Sequence, residues 1–166
     1  MTLPDAEQLI DALAQQIKPH LTADSALVGI HTGGTWVAER LRRQLGEDIP
    51  LGMLDISFYR DDFSRIGLHP QVKPSDIPFE VEGRHIILVD DVLYTGRTVR
   101  AAMNELFDYG RPASIQLAVL VDRGGRELPI AAQFAGQTLS LQPHQHIWLN
   151  RDEAGRLHLS LHETST

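Results

Sequence analysis

The sequence predicts an α/β fold: a mainly parallel sheet with helices on both faces, plus a small C-terminal hood. Three observations lead there. Short apolar runs alternate with amphipathic helical segments over most of the chain, the pattern of a parallel sheet assembled from strand-helix-strand units. The runs at 26–30, 86–89 and 114–121 are nearly continuous in apolar residues, as strands buried on both faces are. Beyond Ile130 the pattern breaks into shorter stretches, which supply the hood.

Residues 4–18 place Leu9, Ile10, Leu13 and Ile17 on one face at helical spacing, and Pro19 stops the helix. A strand at 26–30 follows, then the turn His31-Thr32-Gly33-Gly34. A helix at 35–45 comes next, with Val37, Leu41 and Leu45 inward, and then a strand at 51–58. Residues 59–78 show no period and contain Gly67, Pro70, Pro74 and Pro78, which predicts a long irregular loop. Loops of that length in compact domains are commonly lids over a site. After the strand through Val89, a helix is predicted at 99–109 with Met103, Leu106 and Phe107 inward and Gly110 as its stop. A buried strand at 114–121 follows. Short strands near Phe134, at 146–150 and at 156–161 place a hood over the carboxyl edge of the sheet. No repeat or linker divides residues 1–166, so one domain is expected.

Composition sets outer limits. Hydrophobic residues are 42% and charged residues 22%, ordinary globular values that disfavour disorder and long coiled coils. Cys is absent, which excludes disulfides, thiolate catalysis and cysteine-ligated metal. No apolar run approaches the roughly 20 residues of a membrane span. The first residues lack a basic segment leading into an apolar core, so a cytoplasmic protein without a membrane partner is expected. The net charge of −7 repels nucleic acid as a whole, and contact with RNA would need a local basic patch. Thirteen Arg stand against two Lys. That bias suits bidentate contacts to phosphate, and a GC-rich genome produces it equally well.

The most informative stretch is Ile86-Ile87-Leu88-Val89-Asp90-Asp91-Val92-Leu93-Tyr94-Thr95-Gly96-Arg97-Thr98, where a buried strand leads to two carboxylates, a donor-rich turn and a helix. Ligands of such sheets bind beyond the carboxyl ends of the strands, where Asp90 and Asp91 are expected. Adjacent strand side chains point to opposite faces, so the two acids have different tasks: one meets a ligand while the other orients the turn or a metal-bound water. Ionised carboxylates only accept hydrogen bonds, which suits sugar hydroxyls. Gly96 permits close backbone approach, Thr95 and Thr98 add hydroxyls, and the first amides of the helix add partial positive charge. Together these describe a phosphate monoester site. The plain alternative is a capped strand-turn-helix joint, and the combination of acids, turn and helix weighs against it.

That segment resembles the phosphoribosyl-diphosphate (PRPP) signature of the type I phosphoribosyltransferases. Two further stretches, Ser57-Phe58-Tyr59-Arg60-Asp61-Asp62 and Val121-Asp122-Arg123-Gly124-Gly125-Arg126-Glu127-Leu128-Pro129-Ile130, resemble the bifunctional pyrimidine operon regulators with uracil phosphoribosyltransferase activity. Similarity extends over nearly the whole chain. The resemblance implies a type I phosphoribosyltransferase fold that binds pyrimidine nucleotide, UMP or UTP. It implies conversion of uracil and PRPP to UMP and diphosphate, and control of pyrimidine genes through operon mRNA. It also implies Mg²⁺ carried by PRPP, no separate metal site, and a homo-oligomer, dimeric or higher.

On this resemblance Asp90 and Asp91 hold the ribose hydroxyls, while Val92, Leu93, Tyr94, Thr95, Gly96, Arg97 and Thr98 surround the 5-phosphate. Thr32, Gly33 and Gly34 face the diphosphate, and Arg60 swings over it as the loop closes. Asp122 and Arg123 lie where the base is expected. Arg126 is the candidate RNA contact, with a surface ion pair to Glu127 as the alternative reading. Tyr94 stands where purine-salvage relatives usually carry an acid, which points to a pyrimidine. The chain departs from the family pattern at Gly33, where many members carry a basic residue, and at Gly125, where RNA-binding members commonly have His.

Other readings are weaker. The stretch Gly29-Ile30-His31-Thr32-Gly33-Gly34-Thr35 nearly matches a nucleoside-triphosphate P-loop, but the Lys that loop requires is missing. Receiver domains also carry an acidic pair, placed after their first strand and complemented by a later Lys, and neither feature is present. Of eight His, the pairs His144/His146 and His158/His162 have suggestive spacing but nothing in the sequence brings them together, so surface histidines are expected. Trp36 and Trp148 are expected to be packing residues.

Overall fold

The computed structural model describes residues 1–56 and 75–164. In chain order the elements are α1 (Ala6–Ile17), β1 (Ser25–Ile30), α2 (Gly33–Leu45), β2 (Leu51–Leu54), β3 (His85–Leu93), α3 (Arg97–Phe107), β4 (Ser114–Asp122), β5 (Phe134–Thr138), β6 (Gln145–Arg151) and β7 (Leu157–Glu163). The sheet has the order β2-β1-β3-β4-β5, and every neighbouring pair is parallel. Strands β6 and β7 form a separate antiparallel hairpin.

Alternation along the strands sorts the core into two layers. Leu27, Ile87, Val89, Ala118 and Leu120 pack with α1 and α2, whereas Ala26, Val28, Ile30, Ile86, Leu88 and Val119 pack with α3. Burial of each large aliphatic side chain contributes about 1.5–3 kcal/mol, so these two layers dominate the stability of the sheet. Helix α1 starts at Asp5, whose Oδ1 accepts the Glu7 amide at 2.9 Å. It ends where Lys18–His20, containing Pro19, tightens into one 3₁₀ turn.

Four boundaries differ from the sequence expectation. β2 stops at Leu54 because its partner β1 stops at Ile30, the last registered pair; residues 57–58 of the expected strand lie outside the described residues. Helix α2 begins at Gly33, so the two glycines form its first turn rather than a separate loop. β3 continues through both acids to Leu93 because β4 keeps pairing with it, Asp90 with Val119 and Leu93 with Asp122. Helix α3 sits two residues earlier than expected at both ends. Its buried stripe is Val99, Ala102 and Leu106, and Phe107, one residue and thus about 100° past Leu106, is 53% exposed rather than inward. Arg60, Asp61, Asp62, Arg65, Lys73 and most of the expected lid at 59–78 lie outside the described residues. Near its end Asp76 bridges antiparallel to Met53.

The tail divides between two roles. β5 joins the main sheet beside β4, while the β6–β7 hairpin makes the hood. Ile147, Leu149 and Leu157 bury one hairpin face against the α1–α2 layer. Glu7 clamps it there: Oε1 accepts the Leu157 amide at 3.1 Å and Oε2 accepts Arg40 Nη1, while Arg40 Nη2 donates to the Gly155 carbonyl at 2.6 Å. Burial pushes the Glu7 carboxyl up, but the Arg40 hydrogen bond, the Leu157 amide and the arginine charges outweigh it and leave its pKa below the ordinary value. No described helix is long and apolar enough to cross a membrane.

Candidate functional site

Strand β1 feeds β2 on one side and β3 feeds β4 on the other, so the boundary between β1 and β3 is the topological switch point of the sheet. β1 pairs with β3 only as far as Gly29 opposite Val89, and β3 then runs on alone beside β4. The notch this leaves receives the turn from His31 into α2. Glycine makes the fit possible. A Cβ on Gly34 would stand 2.4 Å from the Val89 carbonyl oxygen, one on Gly29 2.8 Å from the Gly34 carbonyl oxygen, and one on Gly33 2.2 Å from Asp91 Oδ2. The His31–Thr32 peptide is cis, and the His31 amide donates to the Leu54 carbonyl at 2.8 Å.

A cleft of about 530 Å³ opens above this notch. Its floor includes His31, Thr32, Gly33, Asp90, Asp91, Val92 and Thr98, and its far wall is Ile147, Trp148, Leu149 and Asn150 of the hood. The two acids part company as alternation predicts. Asp91 is half-buried against the α2 turn, with Oδ1 accepting the Val92 amide at 2.8 Å. Asp90 is buried, with Oδ1 accepting the Asp91 amide at 2.8 Å, and it borders both this cleft and a second cavity.

That second cavity is a cup of about 130 Å³ formed by Val92, Leu93, Tyr94, Thr95, Gly96, Thr98 and Val99 with Asp90. Gly96 takes a left-handed φ of 96°, and a Cβ there would stand 3.0 Å from Ile130. Neither α2 nor α3 is capped by the side chain of its N-cap residue, whereas Asp5 caps α1, whose start is not part of the cleft; at α3 the Thr95 hydroxyl accepts the Arg97 amide at 3.2 Å. Two helix starts with partial positive charge therefore converge on one sheet edge, with the carboxylates between them.

Behind the cup, the Thr95 carbonyl accepts the Glu127 and Leu128 amides at 2.9 and 3.2 Å. Arg126 holds the same loop from inside. Its Nε donates to the Ile130 carbonyl at 2.8 Å, Nη1 to the Tyr94 carbonyl at 2.8 Å and the Gly124 carbonyl at 3.4 Å, and Nη2 to Asp122 Oδ2 at 2.7 Å. The ion pair expected between Arg126 and Glu127 is thus not formed. Arg126 turns to Asp122, four residues back across the turn, and Glu127 takes the exposed Arg97 at 2.7 Å, which draws Arg97 away from the cup. Burial raises the Asp122 carboxyl, but the hydrogen bonds from Arg126 and the Gly124 amide, with the Arg126 charge, bring its pKa below the ordinary value.

Arg123 is buried and reaches the hood, donating to the Gln145 carbonyl at 2.9 Å and the Gln142 carbonyl at 3.2 Å. Its guanidinium lies 3.8 Å over the Tyr94 ring. The same ring packs so closely on Gly125, which has φ of 76°, that a Cβ there would stand 2.3 Å from Tyr94 Cε1. Asp122, Arg123 and Arg126 border neither cavity. They join the hood and the phosphate-type loop to the end of β4.

The hood contributes Asn150, which the sequence does not single out, and Trp148, which it marks for packing alone. Trp148 is 54% exposed, stacks on His162 at 3.9 Å between ring centroids, and borders the cleft. Asn150 Nδ2 donates to Ser160 Oγ at 2.6 Å, and Ser160 Oγ lies 2.9 Å from His162 Nε2. Trp36, one turn into α2, packs against the core as expected and also borders the cleft, whereas the exposed Trp148 is no core residue. The available signal was the alternation in His146-Ile147-Trp148-Leu149-Asn150, which sets Trp148 opposite the buried Ile147 and Leu149 face. The register also places His146 directly across from His162, uniting residues of the two His pairs. Among the described residues, no group of three or more His, Asp or Glu is arranged to hold a metal ion.

Comparison with known proteins adds the following. The phosphoribosyl transferase domain family matches residues 2–148. The bifunctional protein PyrR of Pseudomonas savastanoi pv. phaseolicola is 54% identical over 170 aligned positions, covering 100% of this chain and 99% of that protein. PyrR of Pseudomonas aeruginosa strain LESB58 is 56% identical over 153 positions, with 90% of each chain covered. Among solved structures, a hypoxanthine-guanine phosphoribosyltransferase from Bacillus anthracis superposes with a TM-score of 0.65 at 23% identity, covering 84% of this chain and 81% of that one. The Leishmania tarentolae enzyme in complex with GMP gives 0.64 at 23% identity, covering 89% and 84%. At such identities these two structures speak to the fold alone.

Proposed function

This chain belongs to the phosphoribosyl transferase family, with PyrR proteins as full-length relatives, and from that membership we propose a uracil phosphoribosyltransferase that also regulates pyrimidine genes. The reaction joins uracil N1 to the anomeric carbon of PRPP and releases diphosphate, giving UMP. The single observation that carries the reading is the order of charges along the sheet edge. Two helix starts flank a pair of carboxylates, and PRPP carries phosphates at both ends of a sugar whose hydroxyls lie between.

The C–O bond to diphosphate breaks as positive charge develops on the sugar, uracil N1 forms the new C–N bond, and the N1 proton passes to the departing diphosphate or to water. No covalent nucleophile is required. The chain supplies positioning and charge: the α3 start holds the 5-phosphate, Asp90 and Asp91 accept from the ribose hydroxyls and favour the cationic sugar, and the α2 start faces the departing diphosphate. Mg²⁺ takes one or two carboxylates together with substrate phosphates and waters, which the oxygen donors of this acidic pair suit. When bound with PRPP it neutralises diphosphate charge.

Regulation would act through the same cleft, filled by UMP or UTP, and through pyrimidine operon mRNA. Arg126 is committed to Asp122 and three carbonyls, so an RNA contact there would run through the loop it holds rather than through a free guanidinium. A cytoplasmic homo-oligomer completes the proposal, on family analogy. A second reading, a nucleotide sensor with little catalysis, is favoured by a cleft whose described lining holds no Lys or Arg.

The test is UMP formation by purified protein from uracil, PRPP and Mg²⁺, with Asp91→Asn as control and hypoxanthine and orotate as competing bases. Uracil-selective turnover by the wild type alone supports the enzyme. UMP or PRPP binding without turnover supports the sensor, and absence of both rejects the two readings.

A further inference from the structure

The proposed reaction brings a diphosphate to a cleft lined by two carboxylates and, among its described lining residues, by no Lys or Arg. Backbone amides of the α2 turn contribute partial charges only, and a charge-assisted hydrogen bond is roughly twice as strong as a neutral one.

Arg151 stands at the rim of that cleft. It ends β6, next to Asn150 of the cleft wall, and strand alternation sets it on the side of Ile147 and Leu149, toward the helices. Its Cζ lies 4.7 Å over the ring of Trp36. Trp36 borders the cleft and follows Gly33 by one helical turn, so the guanidinium is held beside the helix start that faces the diphosphate.

The other arginines described around the site are committed. Arg97 pairs with Glu127, Arg126 with Asp122 and Arg40 with Glu7, while Arg123 bonds two hood carbonyls. Arg151 is exposed, and among the described residues its guanidinium donates no hydrogen bond and pairs with no carboxylate. A cation–π contact holds a guanidinium by its face and leaves the in-plane N–H donors available for a bidentate anion.

We propose that Arg151 is a diphosphate-binding residue, poised on Trp36 to supply the cationic fork that the Gly33 turn does not. This rests on the PRPP reading above and deepens it. It also gives the hood a part in holding the leaving group.

The experiment measures binding of PRPP, inorganic diphosphate and UMP, each with Mg²⁺, to wild type, Arg151→Ala and Arg151→Lys by calorimetry. Arg151→Ala is expected to weaken PRPP and diphosphate by about tenfold, Arg151→Lys by less, and neither to change UMP, which has no diphosphate. Unaltered PRPP and diphosphate affinity in Arg151→Ala overturns the assignment. An equal loss for UMP overturns it too, because the residue would then act through the packing of the hood. Failure of the underlying reading is distinguishable, since the wild type itself would bind neither PRPP nor UMP.

Discussion

The carboxylate of Asp91 lies directly against the α-carbon of Gly33, so that a Cβ at position 33 would stand 2.2 Å from Asp91 Oδ2. Many members of the family carry a basic residue at that position, and here any side chain must displace the acid or shift the turn. The obstacle is the end of a side chain rather than backbone, so Asp91 is the group that gives way. Gly33→Ala should therefore cost only about 1 kcal/mol of stability, the scale of an off-rotamer side chain. PRPP affinity should nonetheless fall about tenfold, as the acid leaves its place beside the Val92 amide. Calorimetric titration alongside thermal melting checks this; full PRPP affinity in Gly33→Ala would remove Asp91 from the binding role.

Gly125 bears the same relation to Tyr94. Its φ of 76° and the 2.3 Å approach of a Cβ to the Tyr94 ring both demand glycine. Gly125→Ala is expected to destabilise the fold by about 1–3 kcal/mol, measured in urea, because a left-handed backbone and an overpacked ring are penalised together. Gly125→His should also lift Tyr94 off Arg123. A variant as stable as the wild type would show that this turn has another conformation open to it.

The Asp122–Arg126 pair should make stability depend on pH in a definite direction. The folded-state pKa of Asp122 is depressed, so its contribution is present above the ordinary carboxylate range and is lost as pH falls through the folded value. Asp122→Asn is expected to be less stable than wild type by about 1–2 kcal/mol at neutral pH. The gap should close in acid. Parallel urea titrations across that range test the sign, and a gap that widens on acidification would contradict it.

Trp148 offers an optical test of where the base lies. It is exposed, so Trp148→Leu should change stability by less than about 0.5 kcal/mol. If uracil rests on the hood wall, its loss should weaken UMP by roughly 2- to 10-fold, the range of an aromatic stack. Titration of UMP should also shift tryptophan emission in the wild type and shift it less in the variant. Equal UMP affinity in both proteins would place the base elsewhere in the cleft.

Much of this molecule is legible in its sequence. The runs through Leu27, Ile87 and Leu120 announce buried parallel strands, and period two alone sets Asp90 and Asp91 on opposite faces of β3, so that both border the cleft but only Asp90 reaches the second cavity. Boundaries were less legible because they depend on partners. β3 extends through its acids only because β4 accompanies it, and β2 stops where β1 does.

What the sequence determined by itself is local: helix and strand periods, glycines where backbones must meet, and an acidic pair ahead of a helix start. These follow from chain geometry within a few residues. Only the tertiary structure decided that the hood walls the cleft with Trp148 and Asn150, and that Arg151 rests on Trp36. It also decided that Arg123 and Arg126 are spent on carbonyls and on Asp122. The reason is physical. A side chain's partners across distant segments are chosen by how the hairpin docks on α1 and α2, through contacts such as Glu7 with Arg40 and Leu157 that no local pattern encodes.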